Sequence, residues 1–474
     1  MDDMGISING REFSLREIAK ITGGEVIGNP GVIIRSVSTD SRETMLNDLF
    51  VAIKGERLDG HAFVGMAFVN GAKAALVDRV GDLTENRNLV LVDNTTIAFG
   101  RLAKALKDEI NPISVAVTGS VGKTTTKQFI YSVLRCKYTT EKGEKNYNNE
   151  IGTPITMLSM KQDCEAAVFE MGMSARGEIR YLTNLVQPDI GIITNIGTCH
   201  IEHLGSREAI RDAKLEIVEG IKKNGILILN GDEPLLAGIE PQNGLRIFYV
   251  ASNSEKADFR ITNVRQGETK TVFDIIYPDG IAKDITAPAL GIHIALDAAF
   301  AFAVGYLLKI PTEDIKKGIS DYTPVGMRQN IVCHDGITFI HDYYNAGPES
   351  MKASLSVLVQ YAKLSGGRSV AVLGDMRELG ELSVPLHKEV GRAVKELGVD
   401  ILFTFGHEAS AIADGAEESG MSAGAVYRFT DLDNVCAFGN AVGAAIKCGD
   451  AVLLKASRAV ALERVIKYLT GKEN

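Results

Sequence analysis

The run ISVAVTGSVGKTTTKQFIYSVL, residues 113–134, constrains the fold more than any other part of the chain. An apolar, β-branched segment leads into a turn with two glycines, and a helical segment follows at once. Backbone N–H groups at such a helix start converge on an anion, and the helix dipole adds partial positive charge. Lys123 is placed for the β- and γ-phosphates of a nucleotide, and Thr124 for Mg²⁺. The run therefore predicts a phosphate-binding loop in an α/β domain.

This loop is shorter than the usual pattern G-x-x-x-x-G-K-[ST], because Gly119 stands only three residues before Gly122. An ordinary glycine turn with an exposed lysine is the alternative interpretation. The strand before the loop and the helix after it favour nucleotide binding.

The segments around the loop continue the alternation of strand and helix. The short apolar runs AAVFEMGM, DIGIITNIG and ILILNGDEP each end in glycine or polar residues. Buried strands that alternate with helices predict a mostly parallel sheet covered on both faces. Residues 257–280 instead alternate by twos around polar turns, which predicts a small antiparallel patch inserted into this domain.

The strand–helix pattern restarts near Tyr322, where ITFIHDYY, RSVAVLGDM, DILFTFG and DAVLLKAS are predicted strands. The part before residue 98 has mixed short elements. A chain of 474 residues is expected to hold roughly two to four domains. We therefore predict an α/β protein of three domains, spanning 1–97, 98–321 and 322–474, the last of them a Rossmann-like doubly wound domain.

Composition and charge argue against several classes of function. The net charge of −9 is unlike a nucleic-acid-binding surface, which needs clustered lysines and arginines. Six scattered cysteines without a C-x-x-C pair favour a cytoplasmic location over a disulfide framework or a zinc site. The acidic start MDDMGISING is unlike a signal peptide. Residues 289–308 could span a bilayer, but His293 and Asp297 within them favour a buried core helix and no membrane contact.

Polar side chains that could bind a metal follow two of the predicted strands. Glu170 ends the strand AAVFE, at the sheet edge where ligands bind in such folds, although a solvated glutamate is the alternative. The stretch NIGTCHIEHLGS offers His200, Glu202 and His203, but no further strong ligand follows at zinc spacing. Mg²⁺ prefers oxygen ligands, usually one or two carboxylates with water and phosphate.

Lys214 lies on the apolar face of a predicted helix, SREAIRDAKLEIVEGIKK, for which Ser206 is a plausible N-cap. At about 100° per residue it falls within the stripe formed by Ile210, Ala213 and Ile217. A lysine in that position must reach out to solvent, pair with an anion or be modified. The residues alone favour the first of these.

The loop TGSVGKTTTK resembles that of the Mur ligases, the ATP-dependent amide-forming enzymes of bacterial cell-wall synthesis. The resemblance covers essentially the whole chain. It implies that Glu170 and His200 help to hold two Mg²⁺ ions, together with Thr124. It also implies that Lys214, in A-K-x-E-I, is carbamylated, because a carbamate is an anionic metal ligand whereas an ammonium would be repelled.

The resemblance also implies the nature of the domains and their contacts. The first domain would bind the UDP-sugar through VSTDSR, although turn capping by Ser and Asp explains that stretch equally well. EKNYNNEIGTP matches the loop that faces the substrate peptide, and HDYYNAGPESM the loop of the members that add D-alanyl-D-alanine. The implied substrate contacts are Ser38, Asp40, Ser41, Arg42, Asn148, Asn149, Thr153, Tyr344 and Asn345. The implied ATP contacts are Thr118, Gly119, Ser120, Val121, Gly122, Lys123, Thr124, Thr125, His293, Asp297, Arg328 and Asp342.

The function implied is ligation of D-alanyl-D-alanine to a UDP-N-acetylmuramoyl-tripeptide by a cytoplasmic monomer, with Lys123, Glu170, His200, Lys214 and Arg328 in catalytic roles. The alternatives are the ligase that adds the third residue, folyl-polyglutamate synthetase and a nucleotide-binding paralogue without activity. The last is suggested by departures from the family pattern: Ile294 and Asp297 replace asparagines near the nucleotide base, Gly347 replaces another asparagine, and Ala456 replaces a glycine.

Overall fold

The computed structural model describes residues 6–8, 10–55, 57–81, 87–144, 146–240 and 244–470. Three large sheets follow one another along the chain, and a separate two-stranded sheet lies in the first part, which confirms the predicted three-domain α/β class. The strands are β1 (Ile6–Ser7), β2 (Phe13–Ser14), β3 (Glu25–Ile27), β4 (Ile33–Ile34), β5 (Ser36–Ser38), β6 (Asp48–Val51), β7 (Ala74–Val77), β8 (Leu89–Leu91), β9 (Ile113–Thr118), β10 (Thr140–Lys142), β11 (Ala166–Glu170), β12 (Ile190–Ile193), β13 (Ile226–Asn230), β14 (Arg246–Ala251), β15 (Phe259–Gln266), β16 (Thr271–Tyr277), β17 (Gly280–Ala287), β18 (Asn330–His334), β19 (Ile337–His341), β20 (Ser369–Gly374), β21 (Ile401–Phe405), β22 (Val426–Phe429) and β23 (Ala451–Lys455). The α-helices are α1 (Leu15–Thr22), α2 (Val64–Asn70), α3 (Thr95–Ile110), α4 (Lys123–Leu134), α5 (Gly152–Leu158), α6 (Glu178–Val186), α7 (Ile201–Leu204), α8 (Arg207–Leu215), α9 (Ile292–Leu307), α10 (Thr312–Ser320), α11 (Pro348–Ser365), α12 (Ser383–Leu397), α13 (Ser410–Glu418), α14 (Val435–Ala445) and α15 (Ile466–Thr470).

The first sheet has the order β1-β5-β6-β7-β8-β3, with parallel pairing from β5 to β8 and antiparallel strands at both edges. A change of sheet occurs within VIIRSVS. The N–H of Arg35 donates to the carbonyl of Asn47, so the chain leaves β4, which pairs with β2, before it enters β5.

The central sheet has the order β10-β11-β9-β12-β13-β14-β15-β16-β17. Pairing is parallel from β10 to β15 and antiparallel from β15 to β17. The predicted antiparallel segment is therefore confirmed, but it extends the same sheet because β14 pairs in parallel with β15. The helix α9 is buried against this sheet, as expected. No helix within the described part of the chain combines the length and apolar character needed to cross a membrane.

The third sheet has the order β18-β19-β23-β20-β21-β22, parallel from β19 to β22, with β18 as an antiparallel edge. The sequence pattern predicted β19, β20, β21 and β23 and missed the two edge strands, whose alternation is partly polar. The three sheets lie within the three predicted ranges. The exact domain boundaries stay a prediction, since α3 begins at Thr95, before the proposed division at residue 98.

Candidate functional site

A cavity of about 670 Å³ lies between the central sheet and the C-terminal sheet. Its central wall is built by the phosphate loop after β9, the residues after β11 and β12, and the first turns of α9. The opposite wall comes from the loop after β19 and the start of α11. Carboxyl ends of parallel strands thus face the cavity from both sides, where α/β sheets bind ligands.

The phosphate loop requires both of its glycines. Gly119 and Gly122 have φ angles of 150° and 86°, a region that favours glycine. A Cβ atom at Gly119 would lie 1.9 Å from Oγ1 of Thr194, and one at Gly122 would lie 2.6 Å from Oδ1 of Asp297. The short loop therefore closes tightly against its neighbours, which supports the interpretation as a built loop over that as an ordinary exposed turn.

The backbone of this loop offers N–H groups at the start of α4. The amides of Lys123, Thr124 and Thr125 open the helix and have no intrahelical acceptor. The preceding amides of Ser120 and Val121 donate instead to Oδ1 of Asn195, at 3.0 and 2.8 Å. The open amides at the helix N-terminus are the groups that can receive an anion.

Lys123 folds back onto its own loop. Its Nζ donates to the carbonyls of Gly119 and Ser120, at 2.6 and 3.2 Å. Burial lowers the pKa of this lysine, and the carboxylate of Glu170 opposes that effect. An anion at the loop would offer Nζ a stronger partner than the two carbonyls.

Glu170 is held in a network that links the end of β11, the helix α4 and the loop before α5. Its Oε2 accepts from Oγ1 of Thr124 at 2.8 Å and lies 3.3 Å from Nζ of Lys127, while its Oε1 accepts from Nδ2 of Asn148 at 2.9 Å. Burial raises the pKa of Glu170, but the ammonium groups of Lys127 and Lys123 and the two hydrogen bonds lower it below its usual value. The carboxylate is therefore ionised next to Thr124, and an anionic and a hydroxyl oxygen are brought together.

His200 lines the cavity and faces the C-terminal part of the chain. The carboxylate of Glu378 lies against its Nδ1. Its backbone is in the left-handed region, with φ 64°. Among the described residues no group of three His, Cys, Asp or Glu side chains is arranged to hold a metal.

Lys214 lies on the apolar stripe of α8 as predicted, but it is buried, so the expectation from the residues alone that it reaches solvent is wrong. Ser206 caps this helix through a bond from the N–H of Ala209. Its ammonium makes no hydrogen bond or ion pair within the described part of the chain. Burial lowers the pKa of Lys214 to about 7, and repulsion from Lys123 adds to the effect.

Two further groups of α9 lie beneath the site. Asp297 accepts a hydrogen bond from Oγ1 of Thr126 at 3.0 Å, and burial raises its pKa to about 8. His293 lies 2.8 Å from the side-chain nitrogen of Gln329, and burial lowers its pKa to about 4. Both groups are therefore neutral near pH 7, so Asp297 can adjoin the phosphate loop without repelling an anion.

The C-terminal wall is ordered by a second lysine–carboxylate pair. Nζ of Lys455 donates to Oδ2 of Asp342 at 2.7 Å, and Oγ of Ser354 donates to the same oxygen at 2.6 Å. The guanidinium of Arg328 lies over the ring of Tyr344, with its Cζ 3.9 Å from the ring centroid. This wall presents Arg328, a cation, to a cavity whose other end holds the phosphate loop.

Most of the residues expected at the site do line the cavity. They are Ser120, Val121, Gly122, Lys123, Thr124, Thr125, Asn148, Asn149, Glu170, His200, His293, Asp297, Arg328, Asp342, Tyr344 and Asn345. Thr118, Gly119, Thr153 and Lys214 lie behind that surface: Thr118 donates to the carbonyl of Met171, and the buried hydroxyl of Thr153 has no partner among the described residues. The roles of all of these residues stay predictions.

The four residues expected to contact the UDP-sugar lie elsewhere, after β5 of the first sheet. Ser38 donates to the carbonyl of Asp40 at 2.8 Å, and Asp40 accepts from the backbone and side chain of Arg42. The carbonyl of Ser41 accepts from Asn70. This is the turn capping that the sequence allowed as an alternative, and it leaves the predicted contact untested.

Several residues of the site were missed from the sequence. Asn195 organises the phosphate loop, Lys127 pairs with Glu170, and Lys455 pairs with Asp342. Two of them carried a signal. Lys127 follows Lys123 by one helical turn, and Lys455 is a charge at the end of the apolar run DAVLL.

Comparisons with known proteins define the class. The chain matches the family models described as Mur ligase family, catalytic domain, over residues 33–112, Mur ligase middle domain, over residues 117–305, and Mur ligase, glutamate ligase domain, over residues 327–458. The chain belongs to the Mur ligase family.

Similar proteins within the family share a narrower description. The chain is 41% identical over 463 residues to the UDP-N-acetylmuramoyl-tripeptide--D-alanyl-D-alanine ligase of Bacillus subtilis strain 168, covering 96% of this chain and 98% of the relative. Its fold is similar to that of MurF from Acinetobacter baumannii, with a TM-score of 0.89, 30% identity and coverage of 98% and 99%. It is also similar to the MurF ligase of Thermotoga maritima in complex with ADP, with a TM-score of 0.80, 29% identity and coverage of 92% and 97%.

Proposed function

We propose that this chain joins D-alanyl-D-alanine to a UDP-N-acetylmuramoyl-tripeptide, with conversion of ATP to ADP and phosphate. Two kinds of observation support this. The relative from B. subtilis carries this activity in its name and is similar over nearly the whole of both chains. The ionised Glu170 beside Thr124, at the open amides of α4, is the single observation that most favours ATP chemistry in this cavity.

The reaction needs an activated carboxyl group. The terminal carboxylate of the tripeptide attacks the γ-phosphorus of ATP, the bond from that phosphorus to the β–γ bridging oxygen breaks, and ADP leaves. The free amine of D-alanyl-D-alanine then attacks the carbonyl carbon of the acyl phosphate and loses a proton. The tetrahedral intermediate expels phosphate and leaves the new amide. No enzyme nucleophile takes part, so catalysis depends on positioning and on neutralising charge.

The chain's own cations would supply much of that neutralisation. Lys123 would turn from its two carbonyl partners to the phosphates, and Arg328 would approach from the C-terminal wall. The open amides of Lys123, Thr124 and Thr125 would receive the phosphates, while Thr118, Gly119, Ser120, Val121 and Gly122 would shape the loop around them. Asp342, His293 and Asp297 would complete the nucleotide side of the cavity.

The residues present fit Mg²⁺, because the side chains of Thr124 and Glu170 place two oxygens within 2.8 Å of each other. These two residues would hold one ion, and His200 with a modified Lys214 would support a second. The ions, when bound, supply charge neutralisation between two anions that would otherwise repel each other.

We propose that Lys214 is carbamylated. The nitrogen of an unprotonated lysine bonds to the carbon of CO₂, and one proton is released as the carbamate forms. A pKa of about 7 leaves a large share of the amine unprotonated at neutral pH, which favours this addition. An unmodified Lys214 side chain in a high-resolution map of crystals grown at high bicarbonate would contradict it.

The acceptor and donor peptides would lie between the two walls. Asn148, Asn149 and Thr153 are proposed to contact the tripeptide, and Tyr344 with Asn345 the dipeptide. Ser38, Asp40, Ser41 and Arg42 are proposed to contact the UDP-sugar from the first domain. We propose a cytoplasmic monomer; the free cysteines are consistent with that compartment, and sedimentation would test the oligomeric state.

The activity is tested by phosphate release from the full chain with ATP and Mg²⁺. D-Alanyl-D-alanine should support turnover with a UDP-tripeptide, ending in L-lysine or in meso-diaminopimelate, while single amino acids with the UDP-dipeptide should not. Turnover in the second mixture would favour the ligase of the third residue, and no turnover with any mixture would favour a paralogue without activity.

The role of the loop is tested by Lys123→Ala. Product formation should fall by at least about 10²-fold, because one charge-stabilising group at the phosphates is removed. The matched control is Lys161→Ala, whose side chain is largely exposed outside the cavity. Near-normal turnover of Lys123→Ala with an unchanged melting temperature would remove the loop from the mechanism.

A further inference from the structure

The C-terminal part of the chain carries a carboxylate that touches a proposed metal ligand of the central part. Glu378 lies in the loop after β20, and its carboxylate is against Nδ1 of His200. This is an ion-pair contact outside hydrogen-bond geometry, and no hydrogen bond within the described part of the chain occupies either ring nitrogen of His200. The two residues belong to different predicted domains, so only docking of the C-terminal sheet on the central one brings them together.

The contact includes the backbone as well as the side chains. The N–H of Glu202 donates to the carbonyl of Glu378 at 3.4 Å, and a Cβ atom at Gly380 would lie 3.2–3.4 Å from Glu202. Between them Leu379 is buried. The segment 378–380 therefore packs against the residues that follow His200 through its backbone as well as through the side chain of Glu378.

The loop that presents Glu378 is held firmly from its own side. The N–H of Met376 donates to Nε2 of His387 at 3.0 Å, and that of Arg377 to Oγ of Ser457 at 3.0 Å. The carboxylate of Asp375 accepts from the N–H of Ala409 at 2.8 Å. These hydrogen bonds fix the backbone that precedes Glu378.

Both partners of the contact have unusual backbones. His200 and Glu378 have φ angles of 64° and 63°, the left-handed region, which costs a non-glycine residue of order 1 kcal/mol or more. Such conformations persist where the surroundings impose them, and they concentrate at functional sites. Here the surroundings aim an imidazole and a carboxylate at each other across a domain interface.

We propose that Glu378 is a positioning residue for His200, which rests on the function proposed above. A carboxylate on one nitrogen of a histidine fixes the ring orientation and tautomer, and it makes the other nitrogen a better metal ligand. The metal site is then complete only when the C-terminal domain is docked. Metal binding and domain docking favour each other through this one contact.

Mn²⁺ binding to the full chain tests the proposal, with Mn²⁺ as the probe, ADP present and free Mn²⁺ measured by electron paramagnetic resonance. Glu378→Ala should raise the dissociation constant of the weaker Mn²⁺ site by roughly 10–100-fold. Glu378→Gln, which keeps a hydrogen-bond acceptor but loses the charge, should fall between Ala and the native chain. Glu381→Gln is the matched control, because Glu381 is an exposed carboxylate three residues further on.

A double variant separates positioning from a general structural role. Because Glu378 acts through the imidazole, adding Glu378→Ala to His200→Ala should weaken Mn²⁺ binding no further than His200→Ala alone. In ligation assays the half-saturating Mg²⁺ concentration of Glu378→Ala should rise, and kcat should recover at high Mg²⁺. Additive losses, or an unchanged Mn²⁺ affinity in Glu378→Ala with native melting behaviour, would overturn the proposal.

Failure of this inference can be told from failure of the proposed function. If His200→Ala binds Mn²⁺ like the native chain, positioning by Glu378 is refuted, while phosphate release with D-alanyl-D-alanine still decides the function. If the native chain shows no ligation but Mn²⁺ affinity depends on Glu378 through His200, the positioning stands and the ligase assignment fails.

Discussion

The two walls of the cavity contain the same three chemical groups: a buried lysine, a carboxylate and a hydroxyl. On the central wall Lys127 lies 3.3 Å from Glu170, which accepts from Thr124 at 2.8 Å. On the C-terminal wall Lys455 lies 2.7 Å from Asp342, which accepts from Ser354 at 2.6 Å.

The difference lies in what else each lysine and carboxylate contacts. The second oxygen of Glu170 is held by Asn148, so the central cluster aims a carboxylate at the cavity. Both lysines also donate to backbone carbonyls: Lys127 to that of Gly143 at 2.8 Å, and Lys455 to those of Asp342 and Asn345, both at 3.3 Å. The clusters therefore differ in how the carboxylate is held, because Glu170 also has Asn148 and Lys123 as partners.

Replacing the two lysines should show the largest difference in stability between the two clusters. Lys455→Met breaks a buried ion pair and removes the donor to three oxygen atoms of Asp342 and Asn345. The free energy of unfolding should therefore fall by about 3–5 kcal/mol. Lys127→Met also removes the donor to the carbonyl of Gly143, but it should have a smaller effect, because Glu170 keeps Lys123, Asn148 and Thr124. Urea unfolding of both variants measures the difference.

The matched control for these lysines is Lys388→Met, whose pair with Glu418 is near the surface. It should change the free energy of unfolding by less than about 1 kcal/mol. If Lys127→Met destabilised the chain as much as Lys455→Met, the C-terminal cluster would have no special structural role.

Replacing the two carboxylates should affect different kinetic constants, kcat in one cluster and KM in the other. Glu170→Gln removes the charge that the proposed metal needs, so kcat should fall by roughly 10²–10³-fold. Asp342→Asn keeps the shape of a side chain that supports a loop, so we expect mainly a raised KM. Steady-state assays at saturating Mg²⁺ measure both, and a fall in kcat for Asp342→Asn equal to that for Glu170→Gln would contradict the distinction.

The parts of the site that could be predicted from the sequence are those whose contacts join residues close to one another in the chain. The phosphate loop depends on local chemistry, namely two glycines, a lysine and a threonine between a strand and a helix, and the structure has that strand, turn and helix in place. The position of Lys214 on an apolar stripe followed from the periodicity of one helix, but its burial did not, because the residues alone favoured a side chain that reaches solvent. The domain count followed from a strand–helix pattern that restarts.

Partners that are distant in sequence could not be predicted from spacing. Asn195 meets Val121 across 74 residues, and Lys455 meets Asp342 across 113. Only the pairing of β12 with β9, and of β19 with β23, brings them together.

Asp297 is a third carboxyl group at the site, and within the described part of the chain no lysine or arginine pairs with it. Its folded-state pKa of about 8 exceeds the ordinary 3.8, so the folded chain keeps a proton that the unfolded chain releases. Stability is therefore lost as the pH rises from about 4 to about 8. Asp297→Asn removes the titration and should raise the free energy of unfolding by roughly 1–3 kcal/mol at pH 8 and by less at pH 5.

Melting curves of Asp297→Asn at the two pH values measure this effect, with Asp321→Asn as the control because that carboxyl is exposed. An equal shift at both pH values would mean that the carboxyl is ionised in the folded chain. The phosphate loop would then tolerate a second buried negative charge, besides that of Glu170, with no lysine paired to it.

The smallest effect is expected where the two walls meet. Thr198 of the central part donates from its N–H and its hydroxyl to Oε1 of Glu349, in the first turn of α11, at 2.9 and 3.1 Å. Glu349→Gln keeps one acceptor oxygen but loses the charge, so the contact should weaken by roughly 0.5–1.5 kcal/mol. Small-angle scattering should show a larger radius of gyration for Glu349→Gln than for the exposed control Glu396→Gln. An unchanged radius would mean that the contact with Glu378, and not this one, holds the walls together.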